Sequence, residues 1–570
     1  MPVNYRPFSK IINNSRKSEY KILFLKSPIW GMFCLAVFLI YPGIFDIIKT
    51  TPAFAESAVS NVPVKRSNKV ESLLEKQLTA IDANLPVKSM KQFKINGSGT
   101  VDNFAPLTQA INAAQGKKVQ YIFPQGVFLV RKNLDIPKNI TLIFPQNSMI
   151  RIAKGVRVTI KGLIKAGFYQ IFTGQGKIIG PMSNTAICPS WYGAQGDGKT
   201  NDTMAIRAAM QANKEIVFPE GTFLVEATTS AWGDLSGGIL IPSNVTIKMS
   251  PASVIKAKPT SSKRYNILNI YEKNNVTIIG GTIQGERYEH LGTIGEWGHG
   301  ITIGGSKNVT LRNVTVIDCW GDGVTIGYNA KKTTPSQNVK MVGCVAVNNR
   351  RQGLSIIGCI GADIRECKFN NTNGTPPQSG IDIEPDTGVE DKDILISGCE
   401  FIGNSGLGFS INGTRGPIDN VNFKNNTIRG SSWGILVKNV QGNFVFEDND
   451  VSNCRAHGIR LGLCQKIFIK GGKISECAPA LSFKAANYNT IEGVEISSNR
   501  SSGIQMVDSD DNIIRKNLFI NNAKNPITIN NGNNNNIIDN DFKANEAKGE
   551  DILISGKGSN NIQGNISQNN

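Results

Sequence analysis

The 570-residue chain has little charge, few aromatic side chains and almost no histidine. Charged residues make up 19% of the sequence, aromatic residues 7%, and only three histidines are present. So low a fraction of charged residues argues against a disordered or coiled-coil protein. The mean hydropathy of −0.17 excludes a polytopic membrane protein. The sequence has no Cys-x-x-Cys pair and no histidine cluster, so it offers no zinc site.

Acidic residues are outnumbered by basic ones. The chain has 62 Lys and Arg against 44 Asp and Glu, which gives a formal net charge of +18. This excess favours an anionic partner, either a nucleic acid or an acidic polysaccharide. Nucleic acid is disfavoured, because the basic residues are dispersed and lack interleaved aromatic side chains.

The first 55 residues have the pattern of an export signal. A polar, basic stretch over 1–28 is followed by an uncharged apolar run over 29–45 and by Ala53-Phe54-Ala55, a small-x-small cleavage motif. The apolar run is at the lower length limit of a membrane-spanning helix, so an uncleaved anchor is the alternative. Both a cleaved signal and an uncleaved anchor predict export, so the protein is expected to be secreted or to lie in the cell envelope. If the signal is cleaved, no stable membrane insertion is expected. Residues 56–93 lack a core pattern and are interpreted as a linker.

The second half of the chain repeats a short phrase in which glycine precedes alternating aliphatic residues. Between Gly300 and Gly458 successive glycines are 23 to 30 residues apart, with short alternating strands between them. The phrases are HGITI (299–303), DGVTI (322–326), QGLSI (352–356), SGIDI (379–383), LGFSI (407–411), WGILV (433–437), HGIRL (457–461), SGIQM (502–506) and NPITI (525–529). Such a period without helical stretches predicts a solenoid of β-strand coils. We predict an all-β fold, a right-handed parallel β-helix with its repeats over 286–570.

The first half contains an internal duplication. Residues 105–130 and 204–225 each read as a short amphipathic helix, a strand, a Phe-Pro-x-Gly turn and another strand. Each helix is expected to cap the open end of a solenoid core. The two units predict an N-terminal β module over 94–185 and the entrance and first coils of the main solenoid over 190–285.

Nine of the ten cysteines follow the predicted signal, an odd number that cannot pair completely. Cys344 and Cys367 are 23 residues apart, as are Cys454 and Cys477, and Cys319 precedes Cys344 by 25 residues. These separations match the repeat, so like residues are expected to stack in neighbouring coils. The spacing favours buried ladders of thiols over disulfides.

Residues 191–203 (WYGAQGDGKTNDT), with the helix and the FPEGTFLV strand that follow, resemble the entrance of the pectate-lyase-like superfamily. That superfamily includes rhamnogalacturonase- and epimerase-like proteins and relatives of the family 28 glycosidases. The resemblance covers roughly residues 94–570 as a fold. It implies an exported β-helix that acts on polysaccharides, often acidic ones.

The reaction motifs of these families are not reproduced. In family 28 polygalacturonases a Gly-His-Gly follows the catalytic aspartates, whereas here Gly298-His299-Gly300 precedes Asp322 and no Arg-x-Lys follows. The Asp-Pro-His-Glu motif of mannuronan epimerases and the calcium cluster of pectate lyases are also missing. The resemblance therefore implies a fold and a substrate class but supplies no mechanism.

Strand alternation supplies candidate residues independently of the family. In each Gly-Ile-x-Ile phrase the two aliphatic residues point inward, so the residues two and four after glycine point outward. In the phrase at 379–383 these residues are Asp382 and Glu384, and Asp386 follows closely. Two carboxyl groups on Cα atoms about 6.6 Å apart suit the acid and base of glycosidic cleavage, and their repulsion raises the pKa of one of them.

The same carboxylates also suit a second chemistry. They would bind Ca²⁺ while Lys438 or Arg460 acts as the base of a β-elimination. Asp322, in a Gly-Asp-Gly turn, is a further catalytic candidate, and no residue is predicted to be a required metal ligand. For any one of these residues, solvated surface or turn is the alternative interpretation.

Cations and rings near the outward positions are candidates for binding a uronate or sulfate group. These substrate-binding candidates are Arg350, Arg351, Lys438, Arg460, Trp433 and His457. An ordinary charged turn is the alternative for Arg350 and Arg351, and a packing role is the alternative for Trp433. Residues 286–298 interrupt the repeat and are expected to form one wall of a groove. No sequence feature identifies an oligomer interface.

The sequence thus supports two classes of function. One is an exported enzyme that cleaves or modifies an acidic polysaccharide by hydrolysis or elimination, with C5-epimerisation less favoured. The other is a non-catalytic glycan-binding or envelope-structural protein, in which the solenoid is a scaffold.

Overall fold

The computed structural model describes residues 79–80, 82–180, 182–547 and 549–568. The predicted signal and most of the predicted linker lie outside the described residues. The helices are Phe104–Ala113 and Thr203–Met210, and 3₁₀ turns occupy Met90–Phe93 and Pro189–Tyr192. In the part of the chain that is described, no helix has the length and apolar character needed to cross a membrane.

Residues 87–179 form short parallel sheets in which each strand pairs with the strand one coil later. One sheet contains Val87–Ser89, Val119–Ile122, Ile140–Ile143 and Leu163–Lys165. The next contains Ser98–Asp102, Gly126–Val130, Ser148–Ile152 and Phe172–Gly174. The third contains Leu134–Ile136, Arg157–Ile160 and Lys177–Ile179.

The main solenoid follows, and the strands of the repeated phrase form one of its faces, here called the Gly-Ile sheet. Its strands are Ile239–Leu240, Arg264–Tyr271, Trp297–Gly304, Val324–Asn329, Gln352–Ile356, Ser379–Ile383, Leu407–Asn412, Trp433–Lys438, Ile459–Gly462, Leu481–Lys484, Ile504–Val507, Ile527–Asn530 and Ile552–Ser555. Each pairs in parallel with the strand of the next coil. The all-β parallel solenoid predicted from the repeats is confirmed.

Two further parallel sheets complete each coil. The second sheet contains Glu215–Phe218, Val245–Met249, Asn274–Ile279, Lys307–Arg312, Thr334–Val342, Cys359–Arg365, Asp391–Ser397, Ile418–Lys424, Gln441–Glu447, Gln465–Lys470, Thr490–Glu492, Ile513–Arg515, Asn536–Ile538 and Asn561–Gln563. The third sheet contains Asp197–Asn201, Gly221–Val225, Ser253–Ala257, Thr282–Gln284, Thr315–Ile317, Val345–Val347, Lys368–Asn370, Glu400–Ile402, Thr427–Arg429, Asp450–Ser452, Lys473–Ser475, Glu495–Ser497, Leu518–Ile520, Asp541–Lys543 and Ile566–Gln568. Neighbouring coils are about 4.8 Å apart, so side chains at equal positions stack.

The repeated glycine lies where neighbouring coils approach each other most closely. A Cβ atom on Gly380 would lie 2.6 Å from the carbonyl oxygen of Gly408, and one on Gly434 would lie 2.4 Å from that of Gly458. A side chain at this position would therefore collide with the backbone of the next coil. Glycine recurs for this reason, while the aliphatic residue that follows it fills the core.

The turns between sheets are lined by stacked thiols and amides. The nine cysteines within the described residues are free and buried, as predicted. The N–H of Cys344 donates to Sγ of Cys367 over 3.3 Å, and in another turn Asn499 Nδ2 donates to Asn522 Oδ1 over 2.9 Å. The expectation that Cys319 stacks on Cys344 is wrong. Cys319 follows a strand of the third sheet and Cys344 one of the second, so they occupy different turns.

A buried acid at the turn into the second sheet makes stability depend on pH. Oδ1 of Asp391 accepts a hydrogen bond from the N–H of Cys359 over 2.7 Å, while Oδ2 is buried without a hydrogen-bond partner in the described structure. Burial raises the pKa of Asp391 from 3.8 to about 8. The folded state thus holds a proton that the unfolded chain has lost, and this contribution to stability disappears as the pH rises through about 8.

We expect Asp391→Asn to remove this pH dependence, because the amide keeps an acceptor oxygen and never ionises. Between pH 5 and pH 9 the wild type should lose on the order of a few kcal/mol more unfolding free energy than the variant. Urea unfolding at both pH values measures the difference. Asp393→Asn, two residues along the same strand and exposed, is the matched control and should follow the wild type. Parallel pH profiles for wild type and Asp391→Asn would contradict the prediction.

Candidate active site

Two columns of side chains face outward from the Gly-Ile sheet. The outward column contains the residues two after the repeated glycine, and strand register stacks them as Thr302, Thr325, Ser355, Asp382, Ser410, Leu436 and Arg460. The pre-glycine column contains the residues just before that glycine, which are His299, Asp322, Gln352, Ser379, Leu407, Trp433 and His457. Contacts between the two columns build the site.

Asp382 is the central carboxyl group. Its side chain accepts a hydrogen bond from Gln352 Nε2 over 2.9 Å, and Gln352 Oε1 in turn accepts from the N–H of Ser379, which fixes the amide. Burial, and next the charge of Glu384, raises the pKa of Asp382 to about 7, against the opposing effects of Ser410 and Arg351. The residue is only 6% exposed, so the alternative that it is ordinary solvated surface is wrong. At neutral pH a large fraction of this carboxyl group carries a proton.

Asp322 forms a buried ion pair beside it. Arg351 Nη1 lies 3.1 Å from both carboxylate oxygens of Asp322, and Ser355 Oγ donates to Oδ2 over 2.9 Å. The charge of Asp322 raises the pKa of Arg351, and the charge of Asp382 raises it as well. Asp322 is 1% exposed, so its chief effect is to hold a cation beside the central carboxyl group.

His299 lies on the other side of that ion pair. Its Nδ1 accepts a hydrogen bond from the N–H of Asp322 over 3.2 Å, which leaves the ring proton on Nε2. Burial lowers the pKa of His299 to about 4, so the ring is neutral at pH 7. Glu296 Oε2 approaches Arg351 Nε at 3.7 Å and adds a second acidic partner for the guanidinium.

The other two predicted carboxylates differ in their surroundings. Glu384 is partly exposed and accepts a hydrogen bond from Asn412 Nδ2 over 3.0 Å. Asp386 accepts from Tyr328 Oη over 3.2 Å and pairs with Arg415 at 3.4 Å. The charge of Glu384 raises the pKa of Asp382, whereas the carboxylate of Asp386 is bound by Tyr328 and Arg415.

The segment that interrupts the repeat is anchored over the early coils. His290 Nδ1 bonds to Glu286 Oε1 over 2.8 Å, and the His290 ring stacks on Trp320 at 3.8 Å. Arg350 lies 3.8 Å from the Trp320 ring and donates to the carbonyl oxygen of Gly295 over 2.7 Å. Arg350, predicted to bind substrate, thus holds this loop in place.

The remaining candidates lie about two to three coils further along. Arg460 lies 5.2 Å from the ring of Trp433, and His457 meets that ring edge-on at 5.1 Å. Lys438 is exposed and its Cα pairs with that of Asn412. The predicted residues therefore fall into two clusters. One contains the carboxylates around Asp382, and the other contains the aromatic and cationic side chains around Trp433.

Several side chains at the centre were not among the predicted site residues. Gln352 and Ser410 orient Asp382, and Ser355 and His299 contact Asp322. Gln352 and His299 both precede a repeated glycine, and aligning that position in every phrase would have found them. Within the described residues no group of three or more His, Cys, Asp or Glu is arranged to hold a metal ion.

Comparison with known families agrees with this fold. Residues 236–384, 361–462 and 408–567 match the family described as right handed beta helix region, which together cover more than half of the chain. Residues 190–278 match the family described as rhamnogalacturonase A/epimerase, pectate lyase-like. These matches confirm the handedness and the resemblance seen at residues 191–203.

Individual relatives are more distant. The uncharacterized protein YclG of Bacillus subtilis is 31% identical over 304 residues, which cover 48% of this chain and 51% of that protein. The pre-neck appendage protein of Bacillus phage phi29 is 24% identical over 36% of this chain and 26% of its own length. The mannuronan C-5 epimerase AlgE6 A-module of Azotobacter vinelandii is similar in structure, with 16% identity, coverage of 67% and 98%, and a TM-score of 0.43. The chain spans about half the length, or less, of the curated relatives it matches.

Proposed function

The chain belongs to the right-handed β-helix family and carries a pectate-lyase-like segment, and on that premise we propose that it is an exported enzyme that cleaves an acidic polysaccharide. The observation that carries the proposal is the buried Asp382, whose pKa of about 7 keeps about half of its carboxyl groups protonated at neutral pH, on the outward face of the Gly-Ile sheet beside Glu384. A carboxyl group whose environment raises its pKa is suited to the role of proton donor.

The proposed reaction is hydrolysis of a glycosidic bond. Asp382 gives its proton to the leaving glycosidic oxygen as the bond from that oxygen to the anomeric carbon breaks. The Glu384 carboxylate either takes a proton from the water that attacks the anomeric carbon, or attacks that carbon itself to form a glycosyl-enzyme that water then hydrolyses. Which of the two occurs depends on the carboxyl separation, about 5–5.5 Å for the covalent route and about 6.5–9.5 Å for the water route.

The excess of positive charge supports an acidic substrate. The residues after the predicted signal carry a formal net charge of +13, which attracts polyanions, and Arg460 places a guanidinium group in the outward column that carries Asp382. Guanidinium groups suit carboxylate and sulfate recognition because they donate two parallel hydrogen bonds. Export by the N-terminal segment would bring the enzyme to polysaccharides outside the cell.

Incubation of the purified protein with a panel of acidic polysaccharides tests the proposal. We expect reducing ends to appear without the ultraviolet absorbance of an unsaturated uronate. Their rate should fall as the pH rises through about 7, because Asp382 then loses its proton. Reducing ends together with absorbance would instead indicate elimination. A rate that rises through pH 7 would contradict Asp382 as the proton donor.

A second candidate is a non-catalytic glycan-binding protein of an appendage type. It is favoured by the match of 36% of this chain to the phi29 pre-neck appendage protein. In that case acidic glycans would bind to the protein without any change in their reducing ends, and replacing Asp382 would alter neither result.

A further inference from the structure

Trp433, His457 and Arg460 form a compact group on the Gly-Ile sheet, separate from Asp382. The Arg460 guanidinium lies 5.2 Å from the Trp433 ring centre, and Arg460 Nη1 lies 3.3 Å from His457 Nε2. His457 meets Trp433 edge-on, with the ring planes at 82°. All three residues are partly exposed, so an indole ring and a cation are accessible together.

The charge of Arg460 is not compensated locally. No carboxylate of the described residues lies within ion-pair distance of it, unlike Arg351, which pairs with Asp322 and Glu296. Burial, followed by the charge of Arg460, lowers the pKa of His457, so its ring is neutral at pH 7 and adds no second positive charge to the group. Nδ1 of that ring is buried and lacks a hydrogen-bond partner in the described structure. A partly buried cation without an anion is a site for an external anion.

Its position relates the group to the proposed reaction. Asp382, Ser410, Leu436 and Arg460 stack in successive strands of one column. Three strand spacings of about 4.8 Å place Arg460 roughly 14 Å from Asp382. The two residues between them are a short hydroxyl and an aliphatic side chain, so no charged side chain of this column interrupts the path. A glycan chain lying across the strands would reach both groups at once.

We propose that Trp433, His457 and Arg460 form a subsite that binds a uronic acid residue of the glycan, a few sugar rings from the cleaved bond. The sugar ring stacks on the indole of Trp433, because its C–H face is complementary to an aromatic face. The carboxylate of the sugar accepts hydrogen bonds from Arg460. This carboxylate is the counter-ion that Arg460 lacks within the protein. This inference rests on the proposed function for its substrate class.

The test is equilibrium binding in the Asp382→Asn background, where turnover does not interfere. The probes are a galacturonate hexamer and its fully methyl-esterified form, which keeps the sugar rings but removes the charge. We expect the acid to bind at least tenfold more tightly than the ester, and Arg460→Gln to weaken binding of the acid by about tenfold to a hundredfold. Arg460→Gln should leave ester binding unchanged, whereas Trp433→Leu should weaken both forms alike.

The controls come from the same sheets. Leucine is the natural residue at the Trp433 position one coil earlier, Leu407, so Trp433→Leu should fold. Arg429→Gln removes one exposed charge from the third sheet and should not change either affinity. Equal binding of acid and ester, no binding of either, or undiminished acid binding by Arg460→Gln would overturn the subsite. If Arg460-dependent binding is found but the wild type cleaves no polysaccharide, the subsite stands and the enzyme proposal fails.

Discussion

Replacing Asp382 by asparagine should reduce polysaccharide cleavage by roughly a hundredfold to ten-thousandfold, the usual contribution of a positioned proton donor. The amide oxygen of asparagine still accepts the hydrogen bond that Gln352 Nε2 gives to Asp382. The fold and the glycan affinity should therefore persist while the proton to be donated is gone. Release of reducing ends, measured beside glycan binding for the same variant, separates the two effects.

Two further variants sharpen this result. Glu384→Gln should reduce turnover to a similar extent, because Glu384 is the proposed base or nucleophile. The remaining activity should also decline at a lower pH than in the wild type, because the charge of Glu384 raises the pKa of Asp382 and the variant lacks that charge. Asp450→Asn, on the exposed side of the third sheet, is the matched control and should behave as wild type. Wild-type turnover by Asp382→Asn would show that the proton donor lies elsewhere.

Gly434→Ala is expected to destabilise the solenoid by about 3 kcal/mol, at the upper end of the cost of overpacking. A Cβ atom there would lie 2.4 Å from the carbonyl oxygen of Gly458 and 2.6 Å from Cγ1 of Val451. The first contact is to backbone, which cannot move without breaking the parallel pairing of the two coils. Chemical unfolding followed by circular dichroism measures the loss.

Gly462 offers a matched control in the same sheet. No atom lies within 4 Å of the position that its Cβ would take, and its backbone is not left-handed. Gly462→Ala should therefore be neutral or slightly stabilising, since alanine restricts the unfolded chain. Equal stability of the Gly434 and Gly462 variants would mean that close approach of the coils is not what requires the repeated glycine.

The fold was accessible from sequence because it follows from local rules repeated many times. The period of 23 to 30 residues, the alternating strands and the recurring glycine each point to stacked coils. The same alternation placed Asp382 and Arg460 in one outward column, and strand register bears this out. The stacking of Cys319 on Cys344 was predicted wrongly, because spacing alone does not tell which of the turns in a coil a residue occupies.

The environment of the site was decided by contacts between coils and with loops. From sequence, solvated surface was the alternative for Asp382 and a turn was the alternative for Asp322, and neither alternative foretold that the two side chains are only 6% and 1% exposed. Arg350 and Arg351 are neighbours in sequence, but one anchors a loop on Trp320 while the other pairs with Asp322. Sequence determined which side chains share a column, because strand geometry is periodic. Only tertiary structure decided their burial and charge partners, because these depend on residues 20 to 60 positions away that come close only when the coils have stacked.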